Sequence, residues 1–316
     1  MTRLADSASY AGGNHIPEMP PPLVSIVIPT YKPDFLDEAI ESALAQTYPK
    51  TEIVISDNCR GDEVRDVSRR YPQIRYHRNP ETGVYNNFRS CIRLAGGEFV
   101  KFLLDDDLLE RNCIDRLVSA FELAPDITLT CGWYRLINDR GNEVELRRLP
   151  KYDTIMSSPG GAAAPMLMSA RNPIGPLTTC MFRKKSFPLG MGPWFFNPEA
   201  PRRYLGLVDM AIILDLAFAG RVAVLAEPLS SMRTHALQLS NPANNPRAVS
   251  SIRSWLTLAE DAHAFGLLSE SQFSVTLDAV LALFRRFRQA FPPLENDIAR
   301  LEEKMASRAA TAFPSS

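Results

Sequence analysis

The chain has 316 residues, 45% hydrophobic and 22% charged, with a formal net charge of −1. That balance suits one large domain, or one domain with an extension, built round a sizeable core. It leaves no bulk electrostatic pull toward nucleic acid, which is excluded as a partner class. Five cysteines, odd in number and without metal-type spacing, point to a reduced cytoplasmic chain, and no stretch approaches the ~20 apolar residues that span a bilayer.

Residues 1–21 lack the apolar run of a signal peptide and read as a flexible leader ending at prolines. LVSIVIPTY (23–31) is a β-branched run stopped by a proline, a buried strand. PDFLDEAIESALAQ (33–46) is a helix, with Asp34 in capping position and Asp37 strengthening its start. TEIVISDN (51–58) is a second strand. Val64, Val67 and Tyr71 mark a short helix, and IRYH (74–77) a third strand. A helix over Phe88–Ala95 leads into EFVKFLL (98–104), a fourth strand, then Asp105-Asp106-Asp107. A helix through Ile114 and Phe121 precedes the strand ITLTCGWY (127–134).

Alternating strands and helices predict an α/β fold with a doubly wound, mainly parallel sheet. Such sheets bind ligands beyond the carboxyl ends of their strands. Those ends are Pro29-Thr30-Tyr31, Ser56-Asp57-Asn58 and the three aspartates.

Beyond 135 the pattern changes. Residues 134–145 suit a hairpin turning near Gly141, and 156–176 read as irregular. TTCMFRKKSF (178–187) resembles an edge strand, and 189–206 holds too much Gly and Pro for regular structure. VDMAIILDLAFAG (208–220) is a buried helix closed by Gly220. Residues 222–235 are a strand running into a loop, and from about 248 the chain is helical with a break at Pro292-Pro293.

Three adjacent carboxylates at a strand end repel one another, and a divalent cation lowers that repulsion. All-oxygen ligands suit Mg2+ or Mn2+, typically shared with a substrate phosphate. This indicates a metal between the aspartates and a nucleoside diphosphate. The bland alternative is a solvated turn capping the helix that follows.

IVIPTYK, then VISDN, then GGEFVKFLLDDD, in that order and spacing, resembles the family-2 glycosyltransferases over residues 22–240. These are inverting enzymes of the A-type glycosyltransferase, nucleotide-diphospho-sugar-transferase-like fold. The resemblance implies that Asp107 ligates the metal and Asp105 lies near the ribose or the metal. Asp106 counts with the nucleotide-binding set. It implies that Asp57 hydrogen-bonds the base, that Pro29, Thr30 and Tyr31 line the base pocket, and that Asn87 faces the nucleotide. The second-strand motif often reads Asp-Asp-Gly-Ser in the family and is Ser56-Asp57-Asn58-Cys59 here.

An inverting displacement at the anomeric carbon needs a base for the acceptor hydroxyl and positive charge on the departing diphosphate. Asp209, heading an apolar helix, is the candidate base. The family carries its base at such a place, although Ile213 stands where an aromatic is common. The competing reading makes Asp209 a helix N-terminal charge, and Asp215 is the second choice for the base. Arg233-Thr234-His235 matches the family's arginine-X-histidine, which implies a metal-completing His235 and a diphosphate contact from Arg233. Asn172–Pro176 resembles the segment under the donor sugar or acceptor. Trp194, with Phe195 and Phe196, either stacks on a sugar in a lid or anchors its loop to the core.

VLALFRRFRQAF (280–291) sets arginines beside an apolar stripe, suited to an anionic membrane surface or to packing on a partner or the catalytic part. The division expected is a leader (1–21), a catalytic domain (22–245) and a helical C-terminal extension (246–316). The function expected is metal-dependent transfer of a sugar from a nucleotide-sugar, a UDP-sugar first, to a glycan or lipid-linked acceptor in bacterial polysaccharide assembly. The setting is cytoplasmic, with peripheral membrane contact left open. Two other classes stay in view: a nucleotidyltransferase, against which the missing glycine-rich loop after the first strand argues, and a catalytically inactive sugar- or nucleotide-binding module. A phosphoacceptor receiver would need an acidic pair after the first strand, which ends in Pro-Thr-Tyr.

Overall fold

The computed structural model describes residues 20–148, 154–186, 194–195, 203–204, 206–236, 238 and 245–312. Residues 1–19 of the expected leader, and Phe196 with most of 189–206, lie outside them.

The strands are β1 (Val24–Thr30), β2 (Thr51–Asp57), β3 (Arg75–Arg78), β4 (Phe99–Phe102), β5 (Leu108–Leu109), β6 (Ile127–Ile137), β7 (Glu143–Arg147), β8 (Thr154–Met156), β9 (Cys180–Arg183) and β10 (Arg221–Arg233). The helices are α1 (Leu36–Leu44), α2 (Glu63–Ser68), α3 (Val84–Leu94), α4 (Cys113–Ala120), α5 (Ala163–Met168), α6 (Val208–Ala219), α7 (Ala248–Ala264), α8 (Glu270–Phe287) and α9 (Leu294–Ala312).

The strands form one sheet in the order β3-β2-β1-β4-β9-β6-β10-β5, with β7 on β6 and β8 on β10. β3, β2, β1 and β4 are parallel neighbours, as are β6 and β10; β9 runs antiparallel between β4 and β6. The carboxyl ends of β1, β2 and β4 therefore share one rim of the sheet. All seven residues of β1 are buried, as its β-branched run requires of a central strand covered on both faces.

Strand alternation divides the core in two. Val27, Val54, Val100 and Phe102 belong to a cluster with α5 to α9, while Ile26, Ile28, Ile53 and Leu103 belong to one with α1, α2 and α4. Nine of the twelve α6 residues are buried, as expected of a helix that is apolar all round. α8 starts on a capping box of Ser269 and Gln272, and α7 and α8 pack on α5. The C-terminal helices thus share the sheet's own hydrophobic cluster.

Several expectations change. β9 is interior rather than an edge strand, since Cys180–Phe182 are buried between two partners, while the trailing Lys185 is exposed. Residues 156–176 are not wholly irregular: they include the end of β8 and α5, whose Pro165 falls in the first turn, where a missing N–H costs nothing. Asp34 does not cap α1, which has no side-chain cap; Asp37 bonds Arg70 (2.5 Å) and Tyr71 (2.8 Å) instead. On α8, Arg285 pairs with Glu302 (2.5 Å) and Arg288 with Glu295 (3.8 Å), so these two arginines serve packing between α8 and α9. The hairpin turns at Gly141, whose φ of +80° suits glycine. Among the described residues no helix is long and apolar enough to cross a membrane.

Candidate functional site

A cleft of about 800 Å³ opens at the shared strand rim. One wall carries Pro29, Tyr31, Lys32, Asn58, Arg60 and the start of α3 to Phe88. The floor carries Leu104 to Asp107, Met232 and Arg233. The far wall carries Pro176, Leu177, Tyr204 and Gly206 to Asp209, and it is continued by the head of α7 and by Phe287 of α8. Gly206 has φ +89°, and a Cβ there would collide with Ser251 Oγ of α7, so that turn sits hard against the C-terminal helices.

The three aspartates have three environments. Asp105 is buried, and its Oδ2 accepts the Thr30 hydroxyl (2.7 Å) and the Tyr31 N–H (3.4 Å). Burial, then the charge of Asp106, pushes its carboxyl up to about 7. Asp107 is buried too; Oδ2 accepts the Thr178 hydroxyl (2.5 Å) and Oδ1 the Arg233 N–H (3.0 Å). Burial and the same neighbouring charge hold it well above the usual carboxylate range. Asp106 keeps a 19% exposed side chain, and its Oδ2 lies 3.0 Å from His235 Nε2.

Arg233 is placed otherwise than the resemblance implies. Its side chain has no exposed surface. Nε donates to the Asp106 carbonyl (3.0 Å), Nη1 to those of Asn138 (3.2 Å) and Asp139 (3.0 Å), and Nη2 to Glu38 Oε2 (2.6 Å). The guanidinium also lies 4.3 Å over the Phe35 ring. Four of its five N–H donors are thus taken by the protein, and at the cleft floor it fastens the loop of Asp106 to α1.

Asp57 is turned into the protein as well. It is fully buried, with Oδ1 accepting the Cys59 N–H (2.6 Å) and Oδ2 facing the Tyr76 hydroxyl (2.6 Å) and Arg78 Nε (2.7 Å). It shapes the loop whose Asn58 and Arg60 reach the cleft, in place of the base contact implied for it. Thr30 likewise is buried and orients Asp105, whereas Pro29 and Tyr31 do line the cleft. Asn87 lines it while bonding the Thr30 carbonyl (3.2 Å) and Asn79 (3.0 Å).

Asp209 lines the cleft at the head of α6, and burial raises its carboxyl above the ordinary value, partly offset by the Met210 N–H. Asp215, the second choice for the base, is turned away: its oxygens accept the backbone N–H groups of Trp194 (3.4 Å) and Phe195 (2.8 Å). Trp194 is wholly buried, packs on Phe218 and is not among the lining residues, so anchoring is the reading the structure supports. In the segment 172–176, Asn172 Oδ1 accepts the Ile174 and Gly175 N–H groups (3.1 and 3.2 Å), a turn that presents Pro176 to the cleft.

The sequence reading missed Thr178, Glu38 and Tyr204. No local pattern marks them, because each acts across the fold.

Among the described residues no three of His, Cys, Asp and Glu converge on a point in metal-holding geometry. The donor chemistry nonetheless fits a hard divalent cation: carboxylates crowded in a partly dry site, two of them resisting ionisation through burial and mutual repulsion.

A mainly parallel sheet with a nucleotide-sized cleft and acidic residues at its carboxyl rim defines an A-type glycosyltransferase fold. The model of glycosyl transferase family 2 matches residues 25–188, and the chain belongs to that family. An uncharacterized glycosyltransferase of Rickettsia felis is 34% identical over 140 residues, 43% of this chain and 23% of that protein. The uncharacterized glycosyltransferase EpsJ of Bacillus subtilis is 29% identical over 124 residues, 38% of this chain and 36% of its own. The chain thus matches well under half the length of these relatives. Among solved structures, S. aureus TarS 1–349 in complex with UDP superposes with TM-score 0.58 at 15% identity, covering 84% of this chain and 73% of that one. The same protein in complex with UDP-GlcNAc gives 0.54 at 11%, covering 92% of each. At such identities the likeness concerns the fold.

Proposed function

We propose that the chain transfers a sugar from a nucleotide-sugar to an acceptor hydroxyl with inversion, in bacterial polysaccharide or glycan assembly. The observation that carries this reading is that Asp209 and the acidic floor line one cleft, with the rim of β1 and β2 as its wall. The sequence of roles follows from that placement. Tyr31, Asn58 and Arg60 border the nucleotide, and Asp105 is held rigid by Thr30. Asp209 takes the proton of the acceptor hydroxyl as it attacks. Burial fits it for this, because a raised pKa makes a better proton acceptor near neutral pH.

Asp106, the most exposed of the three aspartates, and His235, 3.0 Å from it, would hold a divalent Mn2+ or Mg2+; Asp107, bonded at both oxygens, orients the loop. When bound, the ion supplies counter-charge for the leaving nucleoside diphosphate. This reassigns the metal contact from Asp107 to Asp106. UDP-sugars are the first donors to test, since similar folds were solved with UDP and UDP-GlcNAc. The same reading keeps residues 22–245 as the catalytic part and gives 246–316 a share of the cleft wall.

The test is a panel of nucleotide-sugars with Mn2+ or Mg2+, scored for nucleoside diphosphate release and for the anomeric configuration of the product by NMR. Diphosphate release with inverted product is expected. Pyrophosphate release from a nucleoside triphosphate and a sugar phosphate, retention of configuration, or donor binding without turnover would overturn the reading.

A further inference from the structure

β4 reads Phe99-Val100-Lys101-Phe102, and all four residues are buried. Lys101 shares its face of the sheet with Phe99 and Leu103, in the apolar core against α1, α2 and α4. Its side chain is among the largest in the chain to be fully buried. The ammonium donates to the backbone carbonyls of Thr178 and Cys180, the latter at 3.3 Å, and among the described residues no carboxylate pairs with it. An ammonium without a counter-ion is costly in a dry core. Strand packing alone would be served better by methionine, so the reason for a lysine lies in what it holds.

It holds the 3-10 turn Leu177–Thr179, which joins the cleft wall at Pro176 to β9. Thr178 reaches back from that turn: its hydroxyl accepts the Leu104 N–H (3.1 Å) and donates to Asp107 Oδ2 (2.5 Å). Asp107 is pinned from the other side by the Arg233 N–H (3.0 Å). The chain of contacts therefore runs from Lys101 to the Thr178 backbone, from the Thr178 hydroxyl to Asp107, and from Asp107 to the loop that carries Asp106.

We propose that Lys101 is a positioning residue for the diphosphate site: by fastening the Leu177–Thr179 turn it sets the Thr178 hydroxyl, which fixes Asp107 and with it the attitude of Asp106 toward the metal and the diphosphate. The inference rests on the reading of the acidic floor given above. It predicts that a residue without contact to any substrate governs affinity for the metal–nucleotide pair, at the expense of stability.

The experiment compares Lys101→Met, Thr178→Val, Thr178→Ser and the Lys101→Met/Thr178→Val double variant with the wild type. The readouts are melting midpoint, manganese–UDP affinity by calorimetry, and hydrogen exchange of the amides of residues 105–109. Lys101→Met is expected to melt no lower than the wild type, to bind manganese–UDP about tenfold or more weakly, and to exchange faster at 105–109. Thr178→Val should show the same loss, Thr178→Ser should keep near wild-type affinity, and the double variant should be no weaker than the weaker single one, because both act through one contact.

Affinity within twofold of wild type in Lys101→Met with unchanged exchange at 105–109, or losses that multiply in the double variant, would overturn the proposal. If Lys101→Met does not fold, the Thr178 pair decides: Thr178→Val indistinguishable from Thr178→Ser in affinity and exchange sinks it. If the wild type binds no manganese–UDP, the functional reading fails, and hydrogen exchange, which needs no ligand, still decides whether Lys101 orders the acidic loop.

Discussion

Arg233→Gln separates a structural guanidinium from a substrate-binding one. In the wild type that group bonds three carbonyls, those of Asp106, Asn138 and Asp139, and the half-exposed Glu38. Hydrogen bonds from a charged donor contribute about 1.5–3 kcal/mol each. Glutamine recovers one or two of them, and Glu38 regains water. The net loss expected is about 3–5 kcal/mol, in the range for breaking a buried polar cluster from one side. In a chain of this size each kcal/mol moves the melting midpoint by about 2 °C, so calorimetry should show a fall of about 6–10 °C. Affinity for UDP should fall little at temperatures where the variant is folded. A midpoint within about 2 °C of wild type, together with a loss of UDP affinity of about a hundredfold, would refute the structural role and return Arg233 to the diphosphate.

Asp209→Asn should lower kcat by about 10²–10⁴ with UDP affinity unchanged, and wild-type activity should climb with pH through a limb above the ordinary aspartate value of about 4. Because the raised pKa belongs to the folded state, Asp209 destabilises only above that ordinary value; melting curves should find the Asn variant the more stable near neutrality, with the gap closing as pH falls below about 4. Asp106→Asn should remove the manganese dependence of UDP binding without lowering the melting midpoint, and a calorimetric titration showing it intact would move the metal back to Asp107. Asp215→Ala deprives the Trp194 and Phe195 N–H groups of their acceptor and should lower stability by about 2–4 kcal/mol, read as a drop in melting midpoint. A chain ending at residue 245 strips Leu258, Ala259, Leu277 and Phe284 from the cluster shared with α6, a loss of several side chains at about 1.5–3 kcal/mol each; a cooperative melt of that fragment would refute the shared core.

What could be read from the sequence was whatever is encoded over a few residues. β1, β2 and β4 announced themselves as apolar runs ending in polar residues, and the carboxyl rim followed from strand–helix alternation. α6 was legible because an apolar run of helix length closed by Gly220 admits little else. β9 was misplaced because four residues cannot tell an edge from the middle of a sheet; its partners β4 and β6 lie tens of residues away. Arg233 and Asp57 were read by motif as ligands, yet motif position fixes only where a side chain starts. Their charges are met inside the fold, by Glu38 in one case and by Arg78 in the other, and partners so distant in sequence leave no local trace. The family match on residues 25–188 therefore vouches for the frame, while the division of labour within it comes from tertiary contacts.

The acidic triplet shows how that division arises. Three adjacent aspartates cannot be equivalent, because the loop turns each toward different neighbours. The first is clamped by a hydroxyl from β1 and the third by a hydroxyl from the turn before β9 and an amide of β10. Both clamps use neutral donors, which hold a carboxylate in place without cancelling its charge. No fixed positive charge pairs with either clamped carboxylate, so burial and mutual repulsion keep both reluctant to ionise, and the middle aspartate is the one with solvent access and an imidazole facing it. Had arginine or lysine side chains clamped Asp105 and Asp107, the loop would be more stable and the attraction for a cation weaker. Arg233 makes the point from the other side: it touches Asp107 only through its backbone N–H and directs its guanidinium at the Asp106 carbonyl and at Glu38. No arginine or lysine head group is hydrogen-bonded to any of the three carboxylates, and under the proposed function a cation would find them without such a competitor.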